Sequence, residues 1–247
     1  MASDTVLDRI FNSNQLHVVF QPIVELPTGK VFAYEALVRC KDSRFANPHA
    51  LFTEAIKEHR CGELGRRIRE IAARSCSGWP VFMNVHPNEL DEGWLVRPDD
   101  PIFLHESPLF IEITESVPIT HFAFCHGMLR EIRGKGVQLA VDDLGAGYSN
   151  LRYIADLTPE VVKLDRSLIT GLTQTNRLFN LVRSLVNLCG EMGADVVAEG
   201  IETADELQAV IDTGARYAQG YFLARPGYPL PRVDSSVVPK RPSMKYT

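Results

Sequence analysis

The stretch Val137-Gln138-Leu139-Ala140-Val141-Asp142-Asp143 is apolar through most of its length and then ends on two carboxylates. Six other strand-like runs keep the same habit. Glu35 closes residues 31–35, Asn84 closes 81–84, Glu112 closes 109–112, Lys163 closes 161–163, Glu199 closes 196–199, and Gln219 follows 215–218. A strand interior is normally apolar, so a single acid at one strand end carries little information; a helix N-cap or a surface ion pair explains it. The same edge marked in strand after strand gathers polar groups at one end of a sheet. An α/β barrel carries its active site at that carboxyl-terminal edge, and the pattern predicts such a barrel.

The order of elements supports this reading. Residues 3–11 read as a short helix leading into a strand at 17–25. The turn Pro27-Thr28-Gly29 returns the chain into 31–37, so the first strand pairs antiparallel. Strand and helix then alternate, with helices expected at 48–59, 63–76, 119–134, 150–155, 177–192 and 203–212, and eight strands in all. The strongest helical period is Leu178, Leu181, Val182, Leu185, Val186, Leu188, Cys189 and Met192. That stripe predicts a face packed on the barrel, with a subunit interface as the other reading. Several strands are apolar on both faces, as a barrel with a core inside and helices outside requires. The chain therefore divides into one barrel over residues 1–231 and a disordered tail over 232–247, where Pro239 and Pro242 follow Pro229 and Pro231 with little apolar pattern.

A length of 247 residues matches the roughly 250 typical of an eight-stranded α/β barrel. A net charge of −5 excludes a generally basic nucleic-acid-binding surface, so no polymeric nucleic acid is expected as a partner, while a small phosphorylated ligand held through cations stays open. Five cysteines, Cys40, Cys61, Cys76, Cys125 and Cys189, are odd in number and widely spaced, which reads as reduced thiols in a cytoplasmic protein. No apolar run is long enough for a membrane span, and no secretory leader is read.

Glu35, Glu112, Asp142, Asp143 and Glu199 would bring five carboxylates to one barrel mouth. Close carboxylates repel and are driven to take up protons unless cations neutralise them. Carboxylate oxygens with one amide oxygen, from Asn84, suit Mg²⁺ or Mn²⁺ better than zinc. The ligand count exceeds what one magnesium ion takes, so two ions with a bridging carboxylate are expected. Lys163 has two readings, a structural ion pair with these acids or a cation that steadies phosphoryl charge. The segment Leu144-Gly145-Ala146-Gly147-Tyr148-Ser149-Asn150 is either simple turn chemistry or an active-site lid. The seven histidines show no zinc-type clustering, and neither a P-loop nor a nucleophile elbow is present.

These residues resemble a known family. Phe20-Gln21-Pro22-Ile23-Val24, Glu35-Ala36-Leu37-Val38-Arg39, Asn84-Val85 and Glu112-Ile113-Thr114-Glu115 stand in order. They are followed by Val141-Asp142-Asp143-Leu144-Gly145-Ala146-Gly147-Tyr148-Ser149, Val162-Lys163-Leu164-Asp165, Ala198-Glu199-Gly200-Ile201-Glu202-Thr203 and Ala218-Gln219-Gly220-Tyr221. The chain is similar, from about Asp4 to Pro226, to the EAL domain, the cyclic di-GMP-specific phosphodiesterase of bacteria. The resemblance implies a modified TIM barrel with an antiparallel first strand, two Mg²⁺ or Mn²⁺ ions, and hydrolysis of cyclic di-GMP to linear pGpG. It implies that Glu35, Asn84, Glu112 and Asp142 hold one ion, and that Asp142, Asp143 and Glu199 hold the other. Lys163 is implied to hydrogen-bond the water between them. With water activated by two cations, a separate general base, for which Glu199 or Lys163 could be proposed, is not strictly required. Glu115 is implied to anchor the 143–149 loop, Gln21, Arg39 and Asp143 to contact substrate, and Gln219 to support the site. Ca²⁺ is expected to inhibit, because its looser coordination misplaces the reacting groups.

Three positions depart from the family pattern: Cys40 for an aromatic residue, His86 for a small hydroxyl residue, and Leu144 for phenylalanine. None removes a ligand; the Leu144 change falls in the expected lid. The competing reading is a catalytically silent cyclic di-GMP receptor. A barrel of the enolase type, with a lysine base beside carboxylate-held Mg²⁺, fits the residue types alone and not the Asp142-Asp143 pair. Members of the family commonly dimerise, and a homodimer through 177–192 and an unidentified regulatory domain are the expected partners.

Overall fold

The computed structural model describes residues 5–114, 119–146 and 151–239, without the side chains of Asp91, Tyr153 and residues 119–126. In chain order the elements are α1 (Val6–Asn12), β1 (Leu16–Glu25), β2 (Lys30–Cys40), α2 (Pro48–Lys57), α3 (Cys61–Ser75), β3 (Val81–Asn84), α4 (Pro87–Asp91) and β4 (Leu109–Thr114). They continue with α5 (Ile119–Gly134), β5 (Gln138–Leu144), α6 (Arg152–Leu157), β6 (Val161–Leu164), α7 (Arg166–Ile169), α8 (Arg177–Glu191), β7 (Asp195–Ala198), α9 (Ala204–Thr213) and β8 (Tyr217–Ala218). The strands close in chain order into an eight-stranded barrel. β1 runs antiparallel to β8, and the pairs β2–β3, β3–β4, β5–β6, β6–β7 and β7–β8 are parallel. This is the modified TIM barrel expected from the sequence.

Local signals set the element ends. Thr5 and Asp8 form a reciprocal capping box on α1, and Thr203 and Glu206 form another on α9. Asn47 caps α2 ahead of Pro48, whose missing N–H costs nothing at the first helical position. Gly214 ends α9 at φ 93°, a left-handed conformation that glycine adopts without a Cβ penalty. Two short helices, α4 and α7, were not expected: each follows directly on a strand end, where a few residues show no periodicity.

Two compact units make up the chain, residues 1–20, 34–139 and 227–230 in one, and 21–33, 140–226 and 231–247 in the other. In the first, Leu7, Ile10, Val38, Cys40, Leu51, Cys61 and Leu64 form a buried cluster around α1, α2 and α3. In the second, Val162, Leu164, Val182, Val196, Leu207, Val210 and Leu223 form the core. Leu144 and Val238 belong to the same cluster.

That placement corrects two expectations. A disordered tail was expected from residue 232, yet Val238 is only 4% exposed and Val233 and Val237 pack against the core. Apolar side chains spaced among the prolines are enough to dock this segment; residues 240–247 lie outside the described residues. The α8 stripe also divides. Phe179, Val182 and Cys189 are buried and Leu178, Leu185 and Val186 pack beside them, whereas Leu181 and Met192 are exposed. The apolar stripe is wider than the face that the core covers.

Candidate active site

In the first unit, strand register builds the site. Glu35 on β2 pairs with Phe82 on β3, which pairs with Phe110 on β4. The Phe82 and Phe110 rings stack with centroids 4.1 Å apart, forming an aromatic row beside Glu35. Two residues further along, Asn84 pairs with Glu112, so both stand on the same face of the sheet as that row. Asn84 Nδ2 donates to Glu35 Oε1 at 3.2 Å, which leaves the amide oxygen of Asn84 as its ligand atom. Glu35 is 7% and Glu112 1% exposed, a burial that unneutralised carboxylates resist.

A cavity of about 440 Å³ opens beside this group, lined among others by Glu35, Arg39, Phe52, Arg69, Asn84 and His86. Its size lies within the range of small-ligand pockets. Arg39 Nη1 donates to the carbonyl of Val38 at 2.8 Å. The His86 imidazole stacks on Phe52 at 5.1 Å, and its Nδ1 accepts the amide proton of Asn88, capping α4. Burial, with His49 as a lesser cause, lowers the His86 pKa below its ordinary value. The imidazole is thus a neutral, apolar-faced wall of the cavity in place of a hydroxyl.

The second unit holds the other acids. β5 shifts register against β6 between Val141 and Leu144, and Asp143 sits at φ 58°, left-handed and rare for a residue with a Cβ. In a regular strand neighbouring side chains point to opposite faces. The bulge breaks that alternation, so that Asp142, Asp143 and Glu199 each offer an oxygen, all within 4.8 Å of one another. Glu199 follows β7, where its amide bonds the carbonyl of Leu164. Lys163, 1% exposed, is ion-paired with both Asp142 and Glu199, its Nζ 3.1 Å from Asp142 Oδ1 and 2.7 Å from Glu199 Oε1.

Asp142, Asp143 and Glu199 bring three carboxylates to one place. Each like-charged pair at such a distance costs about 4 kcal/mol at an effective dielectric near 20. Clustered hard oxygens of this kind fit a divalent cation of the magnesium or manganese type. The structural reading of Lys163, an ion pair with these acids, is therefore realised in the geometry.

Gln21 and Gln219 are both buried, and Gln219 Nε2 donates to Gln21 Oε1 at 3.1 Å. Gln21 Nε2 in turn donates to the carbonyl of Ala224 at 3.1 Å. The expected substrate contact at Gln21 is thus also tied into the protein. Leu144, expected in a lid, is 1% exposed and belongs to the core, and Cys40 is buried as well. Glu115 and residues 147–150 lie outside the described residues, so the expected loop anchor is not located.

One group of residues escaped the sequence reading. Arg69 on α3 is 1% exposed and ion-paired with Glu89 and Asp100, both 0% exposed. Its signal was present: Cys61, Gly62, Gly65, Arg69 and Ala72 share the buried face of α3, so helical spacing placed this arginine inward.

The EAL domain family profile matches residues 4–226. The chain is 30% identical, over 86% of its length and 38% of the relative's, to a cyclic di-GMP phosphodiesterase of Pseudomonas aeruginosa. It spans about a third of the length of the first curated relatives it matches. Among solved structures it is similar to the phosphodiesterase PaMucR in complex with c-di-GMP, at 26% identity and a TM-score of 0.78, covering 90% of this chain and 95% of that one. It is also similar to Klebsiella pneumoniae BlrP1, solved with calcium and cyclic di-GMP, at 29% identity and a TM-score of 0.74, covering 86% of this chain and 56% of that one. Another structure of that protein contains manganese and cyclic di-GMP. Among the described residues no helix is long and apolar enough to cross a membrane.

Proposed function

Because the chain belongs to the EAL domain family, we propose that it hydrolyses cyclic di-GMP to linear pGpG with two Mg²⁺ or Mn²⁺ ions. The observation that carries this reading is the gathering of Asp142, Asp143 and Glu199 oxygens within 4.8 Å of one another, with Lys163 ion-paired to Asp142 and Glu199. Glu35, Asn84, Glu112 and Asp142 are assigned to one ion, and Asp142, Asp143 and Glu199 to the other. When bound, the ions polarise the phosphodiester and lower the pKa of water. Water attacks phosphorus, one P–O ester bond breaks, and the ring opens to a terminal phosphate and a hydroxyl.

The chain's own groups have the remaining tasks. Lys163 orients the carboxylates of Asp142 and Glu199 and gives a hydrogen bond to the attacking water. Arg39 faces the phosphate as a planar donor. Gln219 holds Gln21 in place for its substrate contact. The reaction is placed in the bacterial cytoplasm, where unpaired cysteines stay reduced.

The test is incubation of the purified protein with cyclic di-GMP and Mg²⁺, Mn²⁺ or Ca²⁺, with pGpG followed by chromatography. Product with Mg²⁺ or Mn²⁺ and none with Ca²⁺ is expected. No turnover with either of the first two rejects the proposal. Tight binding in chelator without turnover establishes a silent receptor instead.

A further inference from the structure

Arg69 lies at the back of the cavity that Glu35, Asn84 and His86 also line. Its guanidinium is spent inside the protein. Nη1 reaches Glu89 Oε2 at 2.5 Å, while Nε and Nη2 reach the two oxygens of Asp100 at 3.1 and 2.9 Å. Glu89 uses its other oxygen, Oε1, to accept the backbone N–H of His86 at 2.9 Å. Asp100 Oδ1 also accepts the amide of Ile102. Gly65 makes room for this arrangement, since a Cβ there would lie 1.7 Å from Glu89 Oε2.

A chain of charge-assisted bonds therefore runs from Asp100 through Arg69 and Glu89 to the backbone two residues past Asn84. Such a cluster is a poor device for stability alone, because apolar side chains of similar volume commonly serve as well or better. What it supplies is a fixed position. The strand β3 ends at Asn84 and the chain turns at once into α4, so the His86 amide is where the backbone leaves the sheet. An error there is passed on to Asn84, which must keep its amide on Glu35.

We propose that Arg69 is a positioning residue for the ion held by Glu35, Asn84 and Glu112, acting through Glu89 on the β3–α4 turn. The inference rests on the reading of these residues as cation ligands. It predicts that removing the cluster weakens one class of cation site and leaves the class built on Asp142, Asp143 and Glu199 as it was. A merely structural role would affect both or neither.

The test uses the full chain and Mn²⁺ alone, titrated by calorimetry, with hydrogen exchange read at residues 84–90. Arg69→Met leaves two buried carboxylates and is open to misfolding, so the principal variant is Arg69→Met/Glu89→Gln/Asp100→Asn, which removes all three charges together. With cooperative melting retained, one class of Mn²⁺ site should weaken about tenfold or more, as for other residues that orient metal ligands. The amides of residues 84–90 should exchange faster. Arg69→Lys should recover part of the affinity, as it restores charge without the forked donor. A folded triple variant with both classes of Mn²⁺ site within twofold of the unmodified protein overturns the inference. An unmodified protein that shows this Mn²⁺ behaviour yet does not cleave cyclic di-GMP loses the proposed reaction and keeps the inference. Absence of Mn²⁺ binding removes both.

Discussion

On β2, β3 and β4 the candidate ligands stand in continuous ladder register, Asn84 opposite Glu112 and Glu35 opposite Phe82. On β5 they are reached through a register shift and a left-handed Asp143. The first group is stiffened from behind by the Arg69 cluster and joined by an amide-to-carboxylate bond. The second is held by a lysine that binds two of its three acids directly. One group is organised by sheet geometry and by residues behind it, the other by charge at close range and a local backbone distortion. The two should therefore fail differently when they are altered.

The largest effect is expected in the ladder group. Glu35→Ala removes a proposed ligand and the acceptor for Asn84 in one step. Turnover of cyclic di-GMP should fall about 10³-fold, the upper range for losing one electrostatic group at a reacting centre, with little change in melting temperature. Full activity in that variant would break the ligand assignment on this side of the comparison.

The lysine group should instead show its failure as instability. Lys163→Met leaves Asp142, Asp143 and Glu199 clustered without their ammonium, and removal of one partner from a buried ion pair costs about 3–5 kcal/mol. The loss should be largest in chelator and partly reversed by Mn²⁺, which stabilises by about 2.7 kcal/mol at a hundred times its dissociation constant. Denaturant unfolding with and without Mn²⁺ measures both. Equal stability of variant and unmodified protein in chelator would mean that the acids do not depend on Lys163.

Much of this difference could not be seen in the sequence. The run ends were legible because a polar residue closing an apolar run is conspicuous, and seven such ends, four of them carboxylates, follow one another along the chain. The barrel followed from the alternation of periods, and the antiparallel first strand from the Pro27-Thr28-Gly29 turn. The bulge at Asp143 was not legible, since aspartate reads alike in a regular and a left-handed conformation. Leu144 was misplaced for the same reason: one residue of slip separates a lid from a core position. Arg69 was hidden because a charged residue in an amphipathic helix normally faces water, and only its helical spacing spoke against that. Val238 was missed because proline-rich composition masked a docking contact.

A smaller effect separates Gly65 from the exposed glycines. In Gly65→Ala the new methyl meets a carboxylate that Arg69 and the His86 amide hold in place. Overpacking of this kind costs about 1–3 kcal/mol. Gly190→Ala in α8 serves as a reference for a helical glycine without a steric neighbour. Should Gly65→Ala unfold no more easily than the unmodified protein, Glu89 has room to move and the stiffness ascribed to the ladder group is lost.

The smallest effect concerns the bulge itself. Asp143→Asn and Asp143→Ala both remove the same one of three clustered charges, so the electrostatic change is common to both. They differ in backbone: asparagine visits the left-handed region with a local hydrogen bond, whereas alanine meets the clash of its Cβ with the carbonyl, about 1–2 kcal/mol. Asp143→Ala should therefore be about 1 kcal/mol less stable than Asp143→Asn in chelator. Urea unfolding at matched ionic strength reads the difference. The same pair should weaken Mn²⁺ binding by similar factors, because the lost charge is common to both. If the two variants unfold together, the left-handed turn is not what holds Asp143 in the acidic cluster, and the contrast with the strands in continuous register reduces to charge alone.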